Sequence, residues 1–330
     1  TEIPEAKRAV LFEILAKNFD FCGNYEKAFI HFNKMNFISS KQVGKLSINP
    51  RRYSAYISKL KTAYNINFKE YQSKSTSKSS KAPIFIIGFP RSGTTLLDTI
   101  LRSHEMIDVI EEQPLVDKMV FEAGKFVDSK LLHQLSQTQI MDLEKTYNDQ
   151  LDTLLPDRNS KKLLIDKFPL NIVNAPLIQK VFPKAKFILV LRHPYDCVLS
   201  CFMQNFQLND AMANFLDLKM TSHLYSEIMT LWEIYSKRFD LQVRTIKYEN
   251  LINDFENTAK NVLEFLRLDW DQNLKHFHET GLKRARISTP SYNQVTEKLY
   301  LHAKDRWKNY LNYIGTDLKP LDQWVAKLDY

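Results

Sequence analysis

The chain has 330 residues, of which 44% are hydrophobic and 25% are charged. These proportions are ordinary for a globular protein and exclude wholesale disorder, and a count of only 7 glycines disfavours a collagen-like or glycine-rich chain. The net charge of +8 fits an anionic partner, but a basic solvated surface would explain the same charge.

Residues 1–72 are predicted to be helical. Val10, Leu11 and Ile14 begin an apolar pattern with a helical period, and a further helix is predicted near residues 51–71. The spacing of small and aromatic residues matches one tetratricopeptide repeat, carried by Leu15, Ala16, Phe19, Gly23, Tyr25, Ala28 and Phe32. An ordinary helical hairpin is the alternative. One repeat cannot bury both of its faces, so we expect it to pack on the rest of the protein or to continue an array upstream.

The segment of residues 73–81 reads SKSTSKSSK and contains no apolar side chain. Such a composition is typical of a surface linker or a mobile loop. The sequence therefore predicts three parts: a helical, tetratricopeptide-like region over residues 1–72, a linker over residues 73–81 and a second domain over residues 82–330.

Within residues 82–330, short apolar runs alternate with helical patterns. Strands are predicted over residues 83–88, 107–110, 186–191 and 241–248, with helices over residues 94–102 and 254–266 and after Pro194. Strands that alternate with helices form a parallel sheet with helices packed on it. The predicted fold class is therefore α/β, a parallel sheet flanked by helices, with an N-terminal α-helical segment.

The loop between the first strand and its helix reads GFPRSGTT over residues 88–95. A helix N-terminus after a glycine-containing turn binds phosphate through its backbone N–H groups and its dipole. The two glycines have the separation of the Walker A pattern, so the sheet is P-loop-like, but Thr94 stands in place of the Walker lysine. A tight turn without a ligand is the alternative. The residues expected to bind one phosphate group are Arg91, Ser92, Gly93, Thr94 and Thr95.

Two motifs together resemble those of the sulfotransferases that use 3′-phosphoadenosine 5′-phosphosulfate (PAPS). The sequence FPRSGTTLL, from Phe89, resembles their 5′-phosphosulfate loop. The sequence LRHPYD, from Leu191, resembles their 3′-phosphate segment, and Arg192 and Ser200 have the spacing of its phosphate-binding Arg and Ser. The resemblance covers about residues 82–307. It is strongest with tyrosylprotein sulfotransferases and with bacterial sulfotransferases that carry tetratricopeptide repeats.

The resemblance also implies a catalytic base. Glu112 aligns with the base of tyrosylprotein sulfotransferases, but Ile110 and Gln113 depart from the family's Gly and Thr. Glu111 is therefore kept as the alternative base. His104, beside the loop helix, is a rival that we rank lower, because a polar His at a helix end is usually a capping or solvated residue.

Further residues take their roles from the same resemblance. Lys167, in the sequence DKFPLN, and Arg91 are expected to stabilise charge on the transferring group. Tyr248, in the sequence YENL, aligns with a Tyr that contacts the nucleotide. Ser291, in the sequence STPSYNQV, aligns with a Ser that helps to hold the sulfate end of the donor.

The expected function is transfer of a sulfuryl group from PAPS to an acceptor hydroxyl, with release of adenosine 3′,5′-bisphosphate (PAP) and without a metal ion. The acceptor is a protein tyrosine, a saccharide or a small molecule. A small-molecule kinase on the same scaffold is the first alternative, which the missing Walker lysine weakens. A catalytically inactive protein that binds peptides through its helical repeat is the second, which the two complete phosphate motifs disfavour.

The expected partners are the nucleotide donor and the hydroxyl acceptor, with a peptide as one acceptor option and a homodimer as one option for assembly. Nucleic acid is not expected, because no basic run with interleaved aromatic residues is present. No apolar run reaches the roughly 18 residues that span a membrane. Three cysteines without metal-ligand spacing favour a reducing compartment. We expect a cytoplasmic protein, with the Golgi lumen as the alternative if an N-terminal anchor was removed.

Overall fold

The structure, a computed structural model, describes residues 4–65, 82–283 and 304–330. The chain divides into two compact units. The first comprises Thr1–Ser58, Arg192–Met229 and Leu301–Tyr330, and the second comprises Lys59–Leu191 and Thr230–Tyr300. Each unit therefore combines segments that are distant in sequence.

The second unit contains a five-stranded sheet in which all strands are parallel. Its order is β2-β3-β1-β4-β5. Parallel strands end at one common edge, where sheets of this class bind ligands. The predicted α/β fold class, with flanking helices and a helical N-terminal segment, is confirmed. The strands are β1 (Ile84–Gly88), β2 (Ile107–Glu111), β3 (Leu163–Lys167), β4 (Lys186–Leu191) and β5 (Gln242–Lys247).

Helices precede, connect and follow the strands, and α4 has the bounds that the sequence predicts. The α-helices are α1 (Glu5–Phe21), α2 (Tyr25–Lys45), α3 (Pro50–Asn65), α4 (Thr94–Arg102), α5 (Leu115–Glu122), α6 (Ser129–Gln134), α7 (Gln137–Leu154), α8 (Ala175–Val181), α9 (Pro194–Phe202), α10 (Leu218–Arg238), α11 (Tyr248–Asn253), α12 (Phe255–Leu266), α13 (Phe277–Lys283), α14 (Leu311–Ile314) and α15 (Asp322–Lys327). Short 3-10 helices cover Pro169–Asn174, Met212–Leu216, Gln272–His276, Arg306–Tyr310 and Lys319–Leu321.

Aromatic rings fill the core between the sheet and α7. Phe85 in β1 and Phe187 in β4 stack with ring centroids 5.8 Å apart. Tyr147 of α7 packs edge-on against Phe182 at 5.0 Å, and all four rings are buried. Full burial of a large apolar side chain contributes roughly 1.5–3 kcal/mol. This cluster therefore fixes β1, the strand that leads into the glycine-containing loop.

The sequence does not predict strand β3. Its apolar run is only Leu163 to Ile165, whereas a strand buried on both faces usually has a longer one. The next two residues, Asp166 and Lys167, are charged, yet both are fully buried in the structure. Charged residues at the end of a central strand are therefore held by partners inside the protein.

In the first unit, α1 and α2 form a helical hairpin. Ala9 and Ala16 of α1 and Ala28 of α2 are buried, because small residues let the two helices approach closely. The side chain of Asn24 caps α2 by accepting a hydrogen bond from the Lys27 N–H at 3.1 Å. The hairpin agrees with the predicted helical segment, and its assignment as a tetratricopeptide repeat stays a prediction.

Two carboxylates of the first unit hold its C-terminal segment. Asp196, on α9, accepts hydrogen bonds from the backbone N–H groups of Asp305 and Trp307 at 2.8 and 2.9 Å. Asp20, at the end of α1, forms an ion pair with Arg306 at 2.8 Å. The beginning and the end of the chain therefore belong to one packed unit.

The predicted linker over residues 73–81 lies outside the described residues, so the predicted division into domains stays a prediction. The helix predicted near residues 51–71 is present as α3 up to Asn65, where this described range ends. Within residues 4–65, 82–283 and 304–330, no helix combines the length and the apolar character needed to cross a bilayer.

Candidate active site

The loop over residues 88–95 begins with a close backbone approach. A Cβ atom on Gly88 would lie 2.5 Å from the carbonyl oxygen of Val190 in β4 and 2.9 Å from Oγ of Ser92. Contacts this short are not seen for real side chains, so only glycine fits without a local shift. The loop therefore starts close against the end of the neighbouring strand.

Gly93 brings the loop against Tyr248. Its φ angle is +102°, and a Cβ atom there would lie 2.6 Å from Cδ2 of the Tyr248 ring. Tyr248 is buried at the first position of α11, directly after β5. Arg91 also has a left-handed backbone, with φ +69°, which is uncommon for a residue with a side chain. The structure thus places the predicted nucleotide contact Tyr248 on the predicted phosphate loop.

Helix α4 presents its N-terminus to this loop. Gly93 occupies the N-cap position and has no side chain with which to cap the helix. The first N–H groups of a helix have no partner within the helix, and they attract an anion together with the helix dipole. Ser92, Thr94 and Thr95 place three buried hydroxyl groups around this turn. The arrangement fits a phosphate or sulfate group.

Lys167 joins two carboxylates at the carboxyl end of the sheet. Its Nζ atom donates to Oε1 of Glu111 at 3.0 Å and to Oε1 of Glu112 at 2.8 Å. The Lys167 side chain is fully buried, Glu111 is 8% exposed and Glu112 is 28% exposed. The register of the sheet pairs Lys167 with Glu111 in β2 and with Ile86 in β1. This cluster therefore lies beside the strand that runs into the phosphate loop.

The backbone of Glu112 explains how two consecutive residues reach the same lysine. Side chains at consecutive positions of a strand point to opposite faces of the sheet. Glu112 instead has φ +48°, a left-handed conformation, and its N–H donates to the carbonyl oxygen of Lys167 at 2.8 Å. Such a conformation costs about 1–3 kcal/mol and is found at functional sites.

Burial raises the pKa of the Glu112 carboxyl above its usual range, and the nearby charges of Glu111 and Asp98 act in the same direction. The ion pair with Lys167 opposes this shift. A carboxylate with a raised pKa is a better proton acceptor near neutral pH. The position, partial exposure and pKa of Glu112 all fit a general base.

His104, the rival base, is engaged on both sides of its ring. Its Nε2 lies 3.0 Å from the carbonyl oxygen of Asp269, and its Nδ1 accepts a hydrogen bond from the Met106 N–H at 3.0 Å. These bonds fit a neutral imidazole with its proton on Nε2. The ring is buried. His104 therefore has the environment of a structural residue.

Arg192 and Ser200 belong to the first unit. Arg192 is 5% exposed, follows the last residue of β4, and has Nη2 at 3.9 Å from Oδ1 of Asp196. Asp196 and Ser200 are one helical turn apart on α9, so they share a face of that helix, and both are buried. The carboxylate that also holds the C-terminal segment therefore lies beside the predicted phosphate-binding Arg.

The predicted site residues of the second unit form two groups at the carboxyl edge of the sheet. The loop residues Arg91 to Thr95 and Tyr248 make one group, and Glu111, Glu112 and Lys167 make the other. Ser291 lies outside the described residues. Within the described chain, no group of three or more His, Cys, Asp or Glu side chains is arranged to hold a metal ion.

Sequence reasoning missed one buried pair behind the site. The hydroxyl of Tyr147 donates to Oδ2 of Asp166 at 3.0 Å. Asp166 precedes Lys167, and burial is the main cause that raises its pKa to about 7. The only signal in the sequence was an acidic residue beside Lys167, because the partner lies on α7, 19 residues earlier.

Comparison with known proteins agrees with this geometry. A family model described as the sulfotransferase family matches residues 83–272, more than half of the chain. The chain belongs to the sulfotransferase family. Residues 83–272 therefore form a sulfotransferase domain, as the resemblance of the two motifs implies.

Several relatives of this sulfotransferase share low sequence identity with it. An uncharacterized protein of Aquifex aeolicus is 27% identical over 337 aligned residues, which cover 99% of this chain and 43% of that protein. The chain thus spans less than half the length of that relative. Protein-tyrosine sulfotransferase 2 of Gallus gallus is 23% identical, over 75% of this chain and 69% of the relative. The sulfotransferase domain of the Synechococcus PCC 7002 olefin synthase has a TM-score of 0.51 and 20% identity, over 79% of this chain and 99% of that domain.

Proposed function

We propose that this chain transfers the sulfuryl group of PAPS to a hydroxyl group, with Glu112 as the general base. The observation that carries the proposal is the contact of Lys167 with Glu112 at 2.8 Å, beside the strand that enters the phosphate loop. The reaction needs a proton acceptor for the attacking hydroxyl and a cation near the transferring sulfuryl group. In this pair Glu112 supplies the proton acceptor and Lys167 supplies the cation.

The reaction balances without a metal ion. The acceptor oxygen forms a bond to sulfur while the bond from sulfur to the 5′-phosphate oxygen breaks, and PAP leaves with that electron pair. Glu112 takes the acceptor proton. Lys167, Arg91 and the N–H groups at the start of α4 stabilise the charge on the sulfuryl oxygens and on the leaving phosphate.

The nucleotide contacts in the proposal come from the sequence motifs. The loop residues Ser92, Gly93, Thr94 and Thr95 bind the 5′ end of the donor, in the manner of a P-loop. Arg192 and Ser200 bind the 3′-phosphate, since an Arg grips a phosphate with two hydrogen bonds. Tyr248 contacts the nucleotide, and Ser291 contacts the sulfate end.

The acceptor in this proposal is a tyrosine hydroxyl in a peptide, with saccharide and small-molecule hydroxyls as the alternatives. The similarity to protein-tyrosine sulfotransferases supports the peptide.

The proposal also divides the chain into a tetratricopeptide-like region over residues 1–72, a linker over residues 73–81 and a catalytic domain over residues 82–330. It includes a homodimer as one option for assembly and a cytoplasmic location.

The test is a transfer assay with ³⁵S-labelled PAPS and separate panels of tyrosine peptides, saccharides and phenols, in EDTA. We expect PAP release and label on a hydroxyl acceptor with the wild-type protein. Glu112→Gln should bind PAP normally and transfer little label, whereas Glu105→Gln, which changes an exposed carboxylate, should match the wild type. Phosphate transfer from ATP with Mg²⁺, and none from PAPS, would instead support the kinase alternative.

A further inference from the structure

Lys167 has two carboxylate partners of unequal exposure. Glu111 is 8% exposed and Glu112 is 28% exposed, while the Lys167 side chain is fully buried. A lysine ammonium has three donors, and these two contacts use two of them. Glu112 is the more exposed of the two partners of Lys167.

The two carboxylates are also held differently by the backbone. Glu111 is the last residue of β2, and its position is fixed by the register with Lys167. Glu112 lies beyond the strand in a left-handed conformation. Glu111 is therefore the fixed partner of Lys167, and Glu112 is the partner that can exchange Lys167 for an acceptor hydroxyl.

We infer that Glu111 is a positioning residue: it retains the ammonium of Lys167 when Glu112 turns to the acceptor, and its negative charge keeps Glu112 basic. The inference rests on the proposed function and assigns a role to a residue that otherwise serves only as the alternative base. With both carboxylates present, Lys167 divides its charge between them. Without the charge of Glu111, Lys167 would pair with Glu112 alone and hold it in the ionised, less basic form.

The charges that act on the Glu112 carboxyl lie on β3, β2 and α4. β3 supplies Lys167 and β2 supplies Glu111. α4 supplies Asp98, whose Oδ1 is paired with Nη2 of Arg102 at 3.0 Å. α5, which follows Glu112 in the chain, carries Asp117 and Lys118. Asp98 already has a cationic partner, so Glu111 is the carboxylate whose removal changes the pairing of Lys167.

The test compares Glu111→Gln with wild type and with Glu105→Gln as a matched surface control. The side-chain carboxyl of Glu112 is titrated by ¹³C NMR in the free protein, with its resonance assigned from Glu112→Gln. We expect the pKa of Glu112 to fall by at least half a unit in Glu111→Gln and to stay unchanged in Glu105→Gln. An unchanged pKa in Glu111→Gln would overturn the inference.

Turnover gives the second readout. We expect Glu111→Gln to lower kcat by about 10- to 100-fold, less than the roughly 10²- to 10⁴-fold that a general base itself contributes. We expect PAP affinity to stay within threefold of wild type and the acid limb of the pH profile to move to lower pH. If Glu111→Gln abolished the acid limb altogether while Glu112→Gln kept it, Glu111 would be the base and the inference would be wrong. Failure of the folded wild-type protein to bind PAP, together with a lowered pKa of Glu112 in Glu111→Gln, would reject the proposed function and leave the coupling between the two carboxylates established.

Discussion

Two hydrogen bonds join Lys167 and Glu112, one between their side chains and one between their backbones. The ammonium of Lys167 donates to the Glu112 carboxylate at 2.8 Å, and the Glu112 N–H donates to the carbonyl oxygen of Lys167 at 2.8 Å. The backbone bond continues the ladder between β2 and β3 by one residue, and the left-handed turn at Glu112 directs its side chain back to Lys167. The proposed base and the proposed cation are thus fixed by the same pair of strands.

Glu112→Gln tests the base. A general base contributes typically about 10²- to 10⁴-fold to a rate, so we expect a loss of that size in kcat with little change in PAP affinity. Burial raises the pKa of Glu112, and the base must be ionised, so the wild-type rate should rise with pH through a limb above the usual range of a Glu carboxyl. The pH dependence of kcat measures this limb, and Glu112→Gln should lack it. Full activity in the variant would remove Glu112 from the mechanism.

Lys167→Met tests the buried cation. Removing one partner of a buried ion pair costs about 3–5 kcal/mol, and here it would leave Glu111 with its charge buried. We expect a loss of unfolding free energy at the lower end of that range, because Glu112 is partly exposed. Chemical denaturation measures it. Lys162→Met removes a lysine from a partly exposed pair with Asp108, and we expect a change below about 1 kcal/mol. Equal effects of the two substitutions would contradict this account of Lys167.

Gly93→Ala tests the loop geometry. The added methyl group would meet the Tyr248 ring at 2.6 Å and would sit on a backbone with φ +102°. We expect PAP affinity to fall at least about tenfold, which corresponds to about 1.4 kcal/mol. Gly44→Ala is the matched control, because nothing lies within 4 Å of the new Cβ and alanine suits a helix better than glycine by about 0.5–1 kcal/mol. A variant at position 93 with normal affinity and stability would show that Tyr248 does not pack on the loop.

Asp166→Asn tests the buried pair with Tyr147. Burial raises the pKa of Asp166 from 3.8 to about 7 in the folded protein, so the folded state holds this proton more tightly than the unfolded chain. The protonated Asp166 carboxyl contributes its whole stabilisation of the folded state below about pH 4, and this stabilisation is lost as the pH rises through about 7. At about 1.36 kcal/mol for each pKa unit, the loss is up to about 4 kcal/mol.

The measurement for Asp166→Asn is the free energy of unfolding from pH 4 to pH 8 for both proteins. Asparagine cannot ionise but still accepts the hydrogen bond from Tyr147. We expect the free energy of unfolding of the variant to rise relative to that of the wild type as the pH increases across this range. Parallel curves for the two proteins would mean that Asp166 does not titrate differently in the folded and unfolded states.

Much of the sheet is predictable because its strands are short apolar runs between polar segments. β1 and β4 were predictable in this way, and so was α4, which begins directly after Gly93. β3 was not, because it ends in Asp166 and Lys167, and local sequence carries no sign that Tyr147 and two glutamates would bury these charges. Tertiary contacts override local pattern at this point.

For the site residues, the sequence predicted which residues take part but not their backbone conformations or their long-range contacts. Arg91 was found from the pattern of the phosphate loop and Glu112 by resemblance to a family motif, but their left-handed backbones were not predicted, since neither is a glycine. The contact of Gly93 with Tyr248 joins residues 155 positions apart, which one sequence does not reveal. The sharing of Lys167 by Glu111 and Glu112 follows from the register of two strands and from the left-handed backbone of Glu112.

The most direct test of the central claim is a calorimetric titration of the folded protein with PAP in EDTA, with ATP as the competitor. The account predicts stoichiometric binding that needs no metal, is not displaced by ATP and is weakened at least about tenfold, or 1.4 kcal/mol, in Arg192→Ala. Arg158→Ala, which changes an arginine paired with Asp152, should bind like the wild type. Absence of PAP binding by the folded wild-type protein, or equal displacement by ATP, would contradict the assignment as a PAPS-dependent sulfotransferase.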